Sequence, residues 1–144
     1  MSFFSAGQSY AVDVLALNEV IPLLEIKPIP KGPDFLEGVI NLRGVIVPVV
    51  DMGQVFGLDK KEYTLESRIL ITTIHSKKIG FLVDGAKDIL ELDQETIESS
   101  VDEENRSRFI EGVAKANNGN ILYLIGIQTL LDENSLQQLS SLEA

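Results

Sequence analysis

The chain holds a single histidine, His75, and no cysteine, which already narrows its chemistry. A Ser-His-Asp relay would have to run through His75, placed between Ile74 and Ser76 where a turn is predicted. A solvated turn histidine is the simpler reading. Without thiolates, and with one imidazole, a metal would depend on carboxylates alone. The acidic cluster Asp102-Glu103-Glu104 lacks the glycine and alternating oxygen ligands of a calcium loop. It reads as the solvated start of a short polar helix over 102–108. Neither GxxxxGK followed by Ser or Thr nor GxGxxG occurs, so no phosphate cradle is expected. Asp51 and Asp84 lie at the ends of apolar runs, where turn or helix capping accounts for them. The expectation is a chain that is not an enzyme, with no cofactor and no metal.

One charge does stand out. Between Gly38 and Val50 the only ionisable side chain is Arg43, at the bend between two aliphatic runs. It reads either as a solvated hairpin tip or as the rim of a protein-binding surface. The second reading uses the planar guanidinium, which makes several directed bonds and tolerates partial desolvation.

Composition sets the frame. The chain has 144 residues, 44% hydrophobic, enough for one compact domain. The formal net charge is −10, which repels phosphate backbones and anionic lipid. Lys60–Lys61 and Lys77–Lys78 are the only adjacent basic pairs, and nucleic acid is not an expected partner. Met1–Ser9 has neither a basic residue nor a long apolar run, so no signal peptide is read there. The longest apolar runs are far shorter than the roughly 20 residues of a spanning helix, so no membrane insertion is expected. The absence of cysteine suits a reducing, cytoplasmic setting.

The elements that would position Arg43 are strands. Short apolar runs at Tyr10–Leu17, Gly38–Ile40, Val45–Val50, Arg68–Ile74, Lys78–Val83 and Asn120–Ile125 read as strands. Turns are predicted at 41–44, 75–77 and 116–119. Pro48 lacks a ladder donor, which predicts an edge strand or a bulge. Short helices are predicted at 51–56 and 135–142. Many short strands separated by turn residues make an all-β fold.

The pattern also occurs twice. Phe35-Leu36-Glu37-Gly38-Val39 returns as Phe109-Ile110-Glu111-Gly112-Val113, and Ile46-Val47-Pro48-Val49-Val50 as Ile121-Leu122-Tyr123-Leu124-Ile125. Glu19-Val20-Ile21 answers Asp88-Ile89-Leu90. The expectation is a single domain over 1–144 with an internal repeat, about 10–57 and about 78–131, and a helical tail at 132–144. Each half has a thin core, so the two should lean on each other along an apolar seam.

The block from Phe35 to Asp51, FLEGVINLRGVIVPVVD, resembles the first signature of the CheW family. Ile79–Leu90 resembles its second and Phe109–Leu131 its third, in matching order from about Ser5 to Leu131. The resemblance implies two small five-stranded β-barrels packed together. It also implies an adaptor that couples methyl-accepting chemoreceptors to the regulatory domain of the histidine kinase CheA, in the cytoplasm beneath receptor arrays. Carried over residue by residue, the receptor-binding positions are Leu17, Glu19, Val20, Gly38 and Arg43. The kinase-binding residues are not assigned. The alternatives are an adaptor of a non-motility chemosensory pathway, or a small-molecule-binding or nucleic-acid-binding β-barrel. The last needs a basic groove with stacking aromatics, against nine aromatics here with only Tyr63 near a lysine pair.

Overall fold

The structure, a computed structural model, describes residues 2–5, 8–30, 35–55, 64–86, 97–98, 110–115 and 121–127. Eleven strands and one short helix are present among them: β1 Ser2–Ser5, β2 Gln8–Val12, β3 Leu17–Pro22, β4 Leu36–Leu42, β5 Val45–Asp51, α1 Met52–Val55, β6 Arg68–Ile74, β7 Lys77–Val83, β8 Gly85–Ala86, β9 Ile97–Glu98, β10 Ile110–Lys115 and β11 Ile121–Ile125. They form two sheets, β8-β1-β2-β11-β10-β9 and β3-β6-β7-β5-β4.

The mostly-β architecture agrees with the alternating aliphatic runs. The implied pair of closed five-stranded barrels does not describe these sheets: one has six strands, and neither closes among the described residues. The five-stranded sheet nevertheless curls until its edges approach. The chain leaving β3 crosses to β4, where Lys27 and Val39 exchange both backbone hydrogen bonds, at 2.9 and 3.0 Å. One bridge satisfies one residue pair, not a whole strand edge. The predicted helices at 102–108 and 135–142, the tail at 132–144 and the turn at 116–119 lie outside the described residues.

Two further sequence expectations are corrected. Tyr10–Leu17 is not one strand. Asp13 accepts the Leu15 N–H on Oδ1 at 3.0 Å and the Ala16 N–H on its carbonyl at 2.9 Å. These bonds wind Val14–Ala16 into a 3-10 turn that carries the chain from the first sheet into the second. Pro48 is neither on an edge strand nor in a bulge, for β5 runs between β4 and β7. Its partner on β4 is Val39, whose N–H and C=O are both spent on Lys27. Pro48 therefore faces a position that asks nothing of its nitrogen, and the parallel ladder to β7 starts one residue later, at Val49.

Strand alternation sorts the core into two layers. Ile69, Ile71, Leu82, Val47, Val49 and Ile40 fill the concave face of the five-stranded sheet. On its other face Leu70, Phe81 and Val50 pack against Tyr10, Val12 and Ile125 of the six-stranded sheet. Phe81, Val50 and Leu70 are completely buried. Among the described residues the expected seam is thus filled by the protein's own side chains. Asp51, an expected cap, accepts the Gln54 N–H at 3.3 Å and starts α1.

The two bulged hairpins are built alike. In β4–β5 the register slips by one residue between Leu36 and Gly38, and in β10–β11 it slips between Ile110 and Gly112. Val39 then pairs outward with Lys27, and Val113 with Glu98. On the other side β5 runs parallel to β7, and β11 parallel to β2.

Candidate functional site

Arg43 is placed by a two-residue turn. Leu42 pairs with Val45, leaving Arg43 and Gly44 between them with φ of 51° and 86°. Positive φ at both positions matches the right-handed twist of a hairpin. It suits Gly44 and disfavours a residue with a side chain. Asn41 holds the turn by accepting the Gly44 N–H on Oδ1 at 2.8 Å. Arg43 is therefore carried at a conformationally unfavourable position, with its side chain 66% exposed.

Its partner comes from the opposite edge of the sheet. β3 pairs with β6, and the register slips between Leu17 and Glu19, which makes Asn18 a bulge. The bulge leaves Leu17 and Val20 on the face toward the seam, where both are half-buried against the core between the sheets. Glu19 and Ile21 instead follow the concave face, opposite Ile71 and Ile69. The Glu19 carboxylate there meets Arg43, whose Nη2 donates to Oε1 at 2.9 Å and to Oε2 at 2.7 Å. That hydrogen bond holds the Glu19 carboxyl below its usual range, burial opposes the shift, and the charges of Arg43 and Lys78 add to it. The same bond raises the Arg43 guanidinium further.

Of the five carried-over positions, Glu19 and Arg43 thus form one exposed ion pair, and Leu17 and Val20 line the adjoining seam margin. Gly38 is different. It is buried with φ of +151°, and a Cβ there would run into the Lys27 carbonyl and come within 2.9 Å of Ile26 Cγ2. In this geometry it admits the crossing segment against β4.

His75 lies exposed in the β6–β7 turn, with φ of 50°. No group of three or more His, Asp or Glu among the described residues is placed to hold a metal ion. Among them, too, no helix is long and apolar enough to cross a membrane. The sequence reading did not single out Asn18, Thr73 or Lys78 as site residues. Thr73 Oγ1 donates to Asn18 Oδ1 at 2.8 Å, and Lys78 faces Thr73 across β6–β7. The Lys77–Lys78 pair was the one available signal, and it was legible only as charge.

Two packed β-sheets bearing an exposed ion pair at an aliphatic rim describe a binding module. Comparison with known proteins gives the family. Residues 1–135 match the CheW-like domain, and the chain belongs to the CheW family. It is 30% identical to the chemotaxis protein CheW of Thermotoga maritima, over 96% of this chain and 90% of that one. It is 31% identical to the chemotaxis protein CheW of Bacillus subtilis, over 94% and 87%. Among solved structures it resembles the scaffolding protein TtCheW of Thermoanaerobacter tengcongensis, with a TM-score of 0.83, 33% identity and coverage of 93% and 92%.

Proposed function

We propose that this chain is a non-enzymatic chemotaxis adaptor that couples methyl-accepting chemoreceptors to the histidine kinase CheA in the cytoplasm, at membrane-associated receptor arrays. The observation that carries the receptor site is the Glu19–Arg43 pair, which spans opposite edges of one curled sheet and stands across the β3 edge from Leu17 and Val20. A helical receptor tip would lay aliphatics on the seam margin while the ion pair fixes its register. The adaptor then acts by raising the local concentration of kinase at the receptor and fixing their geometry. Gly38 supports the site from behind by bringing the Lys27 crossing against β4. The matching bulges of β4–β5 and β10–β11 support reading the chain as one domain with a repeat of about 10–57 and about 78–131.

The test is reconstitution. Purified chain should bind a receptor signalling fragment and the kinase regulatory domain separately, and should bring kinase down with receptor-bearing membranes. Binding to neither would end this reading.

A further inference from the structure

The rim of the curled sheet carries more positive charge than its ion pair consumes. Arg43 reaches Glu19 through Nη2 alone. Among the described residues nothing accepts from Nε or Nη1, so those N–H donors are left for an outside acceptor. Lys78 stands on the same rim. Its partner across β6–β7 is Thr73, whose hydroxyl is tied to Asn18, the residue before Glu19. Paired residues share a face, so Lys78 lies on the concave side with Glu19 and is exposed there. The carboxylate of Glu19 feels both cations. One carboxylate against two cations leaves a positive excess, and it stands on a chain of net charge −10.

We propose that Arg43 and Lys78 together form a two-cation acceptor for a carboxylate side chain on the partner that docks here, an Asp or Glu of the receptor's helical tip. This rests on the receptor-coupling reading above. Glu19 is a positioning residue in this scheme. By holding Nη2 it fixes a long, flexible side chain before the partner arrives, so less rotamer freedom is lost on binding. Arg43 then supplies directed N–H bonds, and Lys78 supplies a point charge that adjusts to the acid's position. Charge complementarity argues for an acidic partner segment over a second copy of this chain, whose rim would repel its own.

The test uses the full chain and a cognate receptor signalling fragment, with binding followed by calorimetry at low and high salt. Lys78→Glu should weaken receptor binding about tenfold at low salt and flatten its salt dependence, the behaviour of a rim charge. Lys78→Arg should stay within about twofold of the parent protein, because the charge is kept. Binding of the kinase regulatory domain should not change. A fragment with its tip acids converted to Gln and Asn should bind the parent protein weakly and show no further loss with Lys78→Glu, since coupled partners are non-additive. Parent affinity and salt slope in Lys78→Glu, or a loss confined to the kinase, would overturn the two-cation acceptor. If Arg43→Ala still weakens receptor binding in that case, the receptor reading survives alone. If Arg43→Ala is also silent, both fall.

Discussion

The β4–β5 and β10–β11 hairpins share a bulge at the same step, an outward-bridging residue on the first strand and a parallel neighbour beyond the second. They differ at the turn. The first ends in Arg43-Gly44, while the sequence of the second offers Asn117-Asn118-Gly119 and no arginine. Asparagine and glycine tolerate positive φ; arginine at a φ of 51° does not gain from it. The first turn therefore carries a residue that folding alone would not select. The two hairpins are alike in register, and the ill-suited residue at the first turn, tied to Glu19, supports the binding role proposed for Arg43.

Gly38→Ala breaks the first hairpin at its base. Its φ of +151° and its contact with Lys27 leave no room for a Cβ, so a loss of about 2–5 kcal/mol in unfolding free energy is expected. Denaturant melts would measure it. Gly112→Ala should cost a comparable amount if the likeness of the hairpins extends to their packing, and a cost below about 1 kcal/mol would confine that likeness to register.

Arg43→Asn separates the two demands on the turn. Asparagine accepts left-handed φ more readily, so the thermal midpoint should hold or rise while receptor affinity drops about tenfold. Loss of both together would mean that Arg43 is held for the fold.

Glu19→Gln tests what the first hairpin's partner contributes. The folded Glu19 pKa lies below its ordinary 4.5 because Arg43 bonds to the carboxylate. Its stabilisation is thus present above about 4.5 and lost as pH falls through the lower folded value. The difference in thermal midpoint between parent and Glu19→Gln should be flat from neutral pH to about 5 and shrink below that. A difference that does not change with acid would uncouple Glu19's charge from its effect.

The smallest effect belongs to the other sheet. Burial, and then the neighbouring Tyr123 at a ring separation of 6.0 Å, raise the Tyr10 hydroxyl above 10.0. Folding then favours the protonated ring, so stability is lost as pH rises beyond about 10. Tyr10→Phe should blunt that alkaline loss and leave receptor binding alone, as a residue of the inter-sheet core and not of the rim.

What the sequence made legible was local. β6 spans the run from Arg68 to Ile74 read as a strand, and the turn at Arg43 sits between two paired aliphatic runs. The sheet change at Asp13–Ala16 was hidden because the apolar residues continue through it; only the Asp13 side-chain and backbone bonds bend the chain. Pro48 misled because its missing donor was counted without knowing that Val39 is engaged by Lys27. Arg43 and Glu19 lie 24 residues apart on opposite sheet edges, and no spacing rule brings such residues together. The bulge at Asn18 that turns Glu19 inward is a property of register, visible only once β3 is paired.

We propose that Arg43 serves a receptor and not the fold or the kinase. Co-sedimentation with receptor-bearing membranes and kinase tests it most directly. Arg43→Ala is expected to leave the membrane pellet, taking kinase recruitment with it, while its affinity for the kinase regulatory domain in solution stays at the parent value. An Arg43→Ala chain that still pellets and still recruits kinase would contradict it.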